Sequence, residues 1–263
     1  MLFRDNLHQK EWGGQRISEI KNPDATADIR YGESWEITTN EEAPSTVCNG
    51  TLAGKTICEL EETCGQDLLG KDKATEHIRT VKLINTGNGI TRMAPQTIHR
   101  ALYVVECDRN TQLTTDTDEV RELLPGDLVV VPRDTAVCIN KPALLAEIMP
   151  NACYQQPTEE ILNELSLIRA DLMVNHYTPL LSTASLAVGI RLFDREMPML
   201  RTETDSYAIY TSLKGYCRIS MANDNDDTSD ILLREGYTCL IPACVKRFTI
   251  YPLGSEVKLL VAD

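Results

Sequence analysis

One pattern occurs twice in this chain. Gly126–Val137 reads GDLVVVPRDTAV, and Gly236–Arg247 reads GYTCLIPACVKR. Each copy is a glycine, five residues with an apolar core, a proline, and four residues leading to a closing position. In the first copy, Leu123–Gly126 (LLPG) is a tight turn feeding a strand over Asp127–Val131. A repeated unit of this kind implies two similar β architectures in one chain. The 263 residues suffice for one large or two ordinary domains. A net charge of −13 argues against nucleic acid or an anionic membrane as a partner. No apolar run approaches the roughly 18 residues of a membrane helix. The N-terminal MLFRDNLHQKEW lacks the apolar core of a signal peptide. The 9 cysteines are odd in number and include no C-x-x-C pair. They read as reduced thiols in a cytoplasmic protein, and their spacings do not fit a four-cysteine zinc site.

Along the chain the signals are mostly those of strands. Glu11–Gly14 (EWGG) opens an irregular N-terminal region, and Ile29–Thr38 runs into a strand. Thr56–Glu62 is a short helix, with Thr56 and Glu59 forming a capping box. Thr80–Ile84, Ile90–Met93, Ala101–Cys107 and Ala143–Met149 are further strands. Pro157–Val174 differs: its apolar residues fall near helical period, and Thr158 is placed to cap them. It reads as a helix joining two units. Strands return from Ala187 to Val261. Asn223–Asp230 (NDNDDTSD) reads as a solvated hairpin loop, because it lacks the glycine and terminal glutamate of an EF-hand.

The repeated motif resembles the second sequence motif of the cupin barrel: Gly, five residues, Pro, any residue, Gly, two residues, His. Here Asp134 and Cys244 replace its second glycine, and Val137 and Arg247 replace its closing histidine. A wider resemblance joins it. EWGG at 11–14, GESWEI at 32–37, LLG at 68–70, VKLI at 81–84, PGD at 125–127 and LLAEI at 144–148 occur in order. That order resembles type I phosphomannose isomerase, the zinc-dependent enzyme that interconverts mannose 6-phosphate and fructose 6-phosphate. REGYTCLIPA at 234–243 resembles its second cupin. The fold implied is mostly β: a double cupin of two antiparallel barrels, or jelly rolls, with a few helices. Its expected boundaries are 1–156 for the N-terminal region and first barrel, 157–176 for the linker helix, and 177–263 for the second barrel.

The resemblance also implies where zinc ligands should stand, and none stands there. The glutamine and histidine of one strand fall on Arg92 and Ala94, the glutamate of the next on Arg100, and the motif histidine on Val137. No cofactor is therefore expected. Zinc enters only through a relocated site, for which Gln96 and His99 are the candidates, with Glu106, Glu147 and His176 as further ligand types. Gln96 and His99 are three apart, so a regular strand would place them on opposite faces unless a bulge intervened.

Arg92 and Arg100 put fixed positive charges where a dication and its acidic ligand stood. With Lys82 they could form an anion site, since guanidinium groups bind carboxylate or phosphate bidentately. They could equally pair with Glu106 or Glu147, or reach solvent. The resemblance places Glu33 and Trp35 at the border of a sugar pocket; alternatively Trp35 is a buried anchor and Glu36 faces solvent or an arginine. Arg247 is expected in a salt bridge at the mouth of the second barrel.

Three functions follow. The first is a non-zinc sugar or sugar-phosphate binding or regulatory homologue. The second is an active isomerase, with a relocated metal or with Glu147 as base and Lys82 or Arg100 as electrophile. The third is a structural or interaction protein. The expected partner is a small sugar or sugar phosphate, without nucleic acid or membrane; the oligomeric state is not legible.

Overall fold

Both copies of the repeated motif fold as a turn, a strand and a stop. Gly126 and Gly236 have φ of 101° and 78°, a left-handed backbone that glycine enters without a Cβ penalty. The apolar residues after each form a short strand buried on both faces. Pro132 and Pro242 then lack the N–H that would continue the ladder. Asp134, which stands at the motif's second glycine, keeps a left-handed φ of 56°. Aspartate tolerates that conformation better than most side chains.

The computed structural model describes residues 1–24, 29–39, 43–70, 79–150, 160–183, 186–202, 206–222 and 228–262. The first half contains β1 (Leu7–Gly14), α1 (Arg16–Lys21), β2 (Tyr31–Ile37), α2 (Ile57–Leu69), β3 (Thr80–Thr86), β4 (Thr91–Met93) and β5 (Arg100–Cys107). It continues with β6 (Thr111–Thr115), β7 (Val120–Leu123), β8 (Leu128–Val131), β9 (Val137–Ile139), β10 (Ala143–Met149) and β11 (Ser166–Ile168). The second half contains β12 (His176–Ser182), β13 (Ala187–Phe193), β14 (Met197–Leu200), β15 (Ala208–Lys214) and β16 (Cys217–Ala222). It ends with β17 (Thr228–Leu233), β18 (Thr238–Ile241), β19 (Arg247–Pro252) and β20 (Val257–Ala262). The expected capping box is present: Thr56 N donates to Glu59 Oε2 at 2.7 Å, and Glu59 N donates to Thr56 Oγ1 at 3.3 Å. No described helix is long and apolar enough to cross a membrane.

The strands form four open sheets. A seven-stranded sheet runs β1-β2-β3-β10-β5-β8-β11 and faces the four-stranded β4-β9-β6-β7. A five-stranded sheet runs β12-β13-β20-β15-β18 and faces the four-stranded β14-β19-β16-β17. Leu102, Val104, Val129, Val137 and Leu145 fill the space within the first half. Ile219, Ile231, Ile241, Phe248 and Leu259 fill the second. A third core lies between the two large sheets. It joins Val81, Tyr103 and Ala146 of one to Val188, Ile209 and Leu260 of the other, with Ile17 and Leu60 from the helices. The strands in the middle are therefore covered on both faces, as β10, buried at every position, shows.

Two expectations are corrected here. The first is closure: the double-cupin reading required two closed barrels or jelly rolls, and among the described residues no sheet closes on itself. The outer edge of β8 is occupied by β11, with Ser166 opposite Val130. The outer edge of β18 is occupied by the N-terminal segment, with Leu2 opposite Cys239. An edge already hydrogen-bonded has no free groups with which to close a barrel.

The second is the linker helix over 157–176. Residues 157–159 lie outside the described ones. Beyond them, Glu160–Leu162 is a single 3-10 turn, Ser166–Ile168 is strand β11, and His176 already begins β12. The apolar residues are used, but by two different elements: Leu162 and Leu165 enter the core, and the next three residues pair with β8. Arg169 fixes the exit by donating from Nε to Asp127 Oδ1 at 2.9 Å.

One core residue yields a stability prediction. The Tyr103 hydroxyl is buried with no hydrogen-bond partner among the described residues. Burial, and secondarily Asp127, pushes its pKa from 10.0 up to about 12. The folded state holds this proton where the unfolded state releases it. Its contribution is therefore intact below pH 10 and lost as pH rises toward about 12. Tyr103→Phe removes an unsatisfied buried hydroxyl and is expected to add about 1 kcal/mol at neutral pH. It should also flatten the alkaline loss. Urea midpoints of both proteins at neutral pH and above pH 10 check both effects.

Candidate functional site

The site is a row of side chains across four neighbouring strands. Backbone register places Trp35 of β2 opposite Lys82 of β3, Lys82 opposite Glu147 of β10, and Glu147 opposite Leu102 of β5. Arg100, two residues before Leu102, shares its face, because alternate strand residues point the same way. All of them face the interior of the first half, the side of Leu102 and Leu145. The structure thus gathers Trp35, Lys82, Glu147 and Arg100, with Glu33 one alternation away on β2.

The two ends of the row differ in character. At the closed end, Arg100 is 2% exposed and Glu147 4% exposed. Arg100 Nη1 donates to Glu147 Oε1 at 3.1 Å. Arg100 Nε and Nη2 are buried without hydrogen-bond partners among the described residues. Of the expected fates for Arg100, pairing with Glu147 is the one realised. Glu106 instead accepts from Arg16 Nη2 at 2.9 Å on the surface.

At the open end, Trp35, Lys82 and Glu33 are half-buried. The Lys82 ammonium lies 4.6 Å from the centroid of the Trp35 ring, a cation–π arrangement. Trp35 Nε1 donates to Glu33 Oε2 at 2.7 Å. Trp35 is therefore no buried anchor. Among the described residues Lys82 makes no ion pair, so its charge faces the space beside the ring.

Sequence reasoning missed two contributors. The His8 ring stacks 4.1 Å from Trp35, and Lys10 Nζ lies 3.8 Å from Glu33 Oε1. Burial holds the His8 imidazole below its ordinary pKa, against the opposing charge of Glu33. Both residues belong to β1, ahead of the Glu11–Gly14 stretch read as irregular, and no motif marks them.

Other expected residues lie elsewhere. Arg92 and Ala94 are exposed, while Thr91 and Met93 are buried. Arg92 thus sits on the outer face of β4 and does not join Arg100. A shift of one residue against the expected strand register reverses every side chain. Val137 is core, Gln96 half-buried, His99 buried at 4% exposure, and His176 exposed. These positions do not fit zinc. The inward residues of β4 are a threonine and a methionine, the third position carries a buried guanidinium, and the fourth is valine. Among the described residues no group of three or more His, Cys, Asp or Glu could hold a metal.

Glu36, expected to face solvent or an arginine, is corrected to a buried partner of lysine. Alternation turns it to the opposite face from Trp35, into the core between the large sheets. Lys21 Nζ stands 2.6 Å from Glu36 Oε1 and 3.0 Å from Asp5 Oδ1. Ser34 Oγ donates to Glu36 Oε1 at 2.5 Å. Tyr237 of the second half donates its hydroxyl to Asp5 Oδ2 at 3.2 Å, and its ring lies under the Lys21 ammonium. Burial disfavours the Lys21 charge, but Glu36 and Asp5 outweigh it and hold its pKa above 10.5.

The second half supplies an internal control. Arg100 pairs with Val131, the last strand residue of the first motif, and Ala208 pairs with Ile241, the last of the second. Continuing the register makes Val261 the counterpart of Glu147, Gly189 of Lys82, and Pro179 of Trp35. The same architecture thus forms with no charged or aromatic residue at these positions themselves, although the Tyr177 ring lies over Gly189 and Arg191 stacks on that ring.

No protein-family model and no curated protein matches the sequence. Solved structures do match. The mannose 6-phosphate isomerase of Bacillus subtilis superposes with a TM-score of 0.73 at 18% identity, covering 100% of this chain and 98% of that one. The apo form of mannose 6-phosphate isomerase from Salmonella typhimurium gives 0.70 at 9% identity, covering 99% and 98%. At these identities the likeness is one of fold, and the fold is that of these isomerases.

Proposed function

We propose that this chain is a sugar or sugar-phosphate binding homologue of the mannose 6-phosphate isomerases that works without the family's zinc. The observation carrying this reading is the contrast between the halves. The row Trp35–Lys82–Glu147–Arg100 is charged and aromatic, whereas its counterparts Pro179, Gly189, Val261 and Ala208 are not. The fold does not require those side chains, so their presence calls for another reason.

Each residue then has a role. The half-buried Trp35 ring, stacked by His8 and approached by the Lys82 ammonium, offers its accessible apolar edge to the C–H side of a sugar. Lys82, with no ion pair among the described residues, supplies a cation for a phosphate. Glu33 holds the Trp35 indole in place and can accept a hydrogen bond from a sugar hydroxyl. Glu147 and Arg100 form the neutral floor behind them. This arrangement binds and orients. A floor in which the carboxylate is already committed to a guanidinium is poorly placed to supply a free base, which favours binding over turnover.

The test is a fluorescence titration in a Trp12→Phe background, so that Trp35 alone reports. Mannose 6-phosphate is expected to quench saturably, and mannose and inorganic phosphate to bind more weakly. Lys82→Ala is expected to weaken mannose 6-phosphate roughly tenfold to hundredfold, the loss of one charged hydrogen bond. No quench at millimolar sugar phosphate sinks the reading. So does EDTA-sensitive conversion to fructose 6-phosphate in a coupled assay, which would demonstrate a working metal.

A further inference from the structure

A cavity of about 780 Å³ that the proposed sugar site does not use lies between the second half and the N-terminal region. Met221, Ser229 and Ile231 of the β16–β17 hairpin form one wall, and Leu52 and Thr51 from the N-terminal region form another. The turn after β18 closes it and brings in Cys244, Lys246 and Arg247. This is the end of the second half that corresponds to the Arg100 end of the first, since both lie where the strand of the repeated motif runs out.

Arg247 gives the cavity its character. Its counterpart Val137 points into the core of the first half, fully buried. In the second half the inward positions of β19 are Phe248 and Ile250, and Arg247 stands exposed at the start of the strand, on the rim of the cavity. Its backbone is fixed by pairing with Leu200 of β14. It was expected in a salt bridge, yet among the described residues its guanidinium makes none, although the chain carries 39 acidic residues. Lys246 beside it is held by donating from Nζ to Thr202 O at 2.9 Å. The cavity therefore combines a guanidinium that makes no ion pair among the described residues, the polar residues Thr51 and Ser229, and the apolar side chains of Leu52, Met221 and Ile231. Its volume falls within the range of about 300–1,000 Å³ typical of small-molecule sites.

We infer that this cavity is a second ligand site, for a small organic anion whose phosphate or carboxylate seats on Arg247 and whose apolar body lies against Leu52, Met221 and Ile231. The guanidinium fork matches either head group bidentately. The site is independent of the Trp35 row, because it shares no residue with it.

Cys244 makes the inference measurable, since it is exposed and lines the cavity. Burial, and then Asp67, raises its thiol pKa, so labelling with a maleimide is best done above neutral pH. The full chain is labelled in the presence of phenyl phosphate, benzoate, inorganic phosphate or phenol, and modification is read at each cysteine by peptide mass. Cys138, on β9 of the first half, is the reference. Phenyl phosphate or benzoate at about 10 mM is expected to slow Cys244 labelling roughly fivefold. Phenol should have little effect, Cys138 should be unchanged, and the more protective anion identifies the preferred head group. Arg247→Ala should abolish the protection, and Arg247→Lys should restore part of it. The inference is overturned if neither organic anion protects Cys244, if Cys138 is protected equally, or if Arg247→Ala leaves the protection intact.

Discussion

Glu147→Leu is expected to remove about 3–5 kcal/mol of folding stability, a large part of the 5–15 kcal/mol of a typical domain. The cause is the guanidinium left behind. Arg100 is 2% exposed and has Glu147 as its side-chain partner. Unlike a carboxylate or an amine, it cannot shed its charge at any usable pH. Without Glu147 the chain must bury an unpaired cation or unfold locally to hydrate it. Arg100→Leu should cost less in mildly acidic buffer, because Glu147 can then take up a proton. The double variant Arg100→Leu/Glu147→Leu should recover most of the loss, since a buried ion pair is often no more stable than a well-packed apolar pair. Urea midpoints of the four proteins give the coupling energy directly. If Glu147→Leu is as stable as the parent, Arg100 is solvated and the floor of the proposed site is wrongly drawn. The double variant is also useful functionally. It keeps the fold while removing the floor, so any loss of sugar-phosphate quenching there reports on the site rather than on unfolding.

A smaller loss, at the lower end of about 3–5 kcal/mol because a stranded Glu36 can take up a proton, is expected for Lys21→Met. This change strands Glu36, 5% exposed, and releases Asp5, which holds the Tyr237 hydroxyl from the other half. The pH dependence separates this effect from simple loss of packing. Glu36 and Asp5 hold the Lys21 pKa above its unfolded value of 10.5. A cation stabilised in this way contributes fully below pH 10.5 and loses its contribution as pH rises through the folded value. The parent should therefore show an alkaline loss that Lys21→Met lacks. Because Tyr103 titrates in the same region, the comparison belongs in the Tyr103→Phe background. An alkaline profile identical in the two proteins would mean that Lys21 gains nothing from its carboxylates.

The repeated motif was a sound guide to what it physically encodes. A glycine at positive φ, an apolar strand and a proline stop are local properties, and both copies fold as written. Closure is not local. Whether β8 and β18 keep free edges depends on Ser166–Ile168 and on Leu2, segments far away in sequence whose composition does not announce a strand. The helical pattern after residue 157 failed for the same reason: its apolar spacing suits a helix, but an open sheet edge nearby offered three residues a ladder. The site divided along similar lines. Trp35, Lys82, Glu147 and Arg100 share a face because their strands are regular, and alternation carries them there. Arg92 went to the outer face through a displacement of one residue that no composition reveals. The strand β1 was hidden by its glycines. Gly13 lies so close to Gly32 that an added Cβ would come within 2.7 Å of its backbone nitrogen. A Gly-Gly pair that reads as irregular was in fact what let two strands meet.

The pairing of Leu2 with Cys239 also sets an order of events during synthesis. The segment that covers the β18 edge is made long before its partner, since Leu2 precedes Cys239 by most of this sequence. Until then the N-terminal end has only its nearer contacts, Leu2 with Cys48 and Asn49, Phe3 with Val47, and Arg4 with Thr46. A nascent chain halted before β18 would carry the strands of the first half but an incomplete second wall for the middle core, which would still lack Leu240 and Leu260. The early half is thus born with a large apolar sheet face waiting for its cover. Translation speed through the second half, and any chaperone that shields that face in the interval, become part of how this protein reaches its native state.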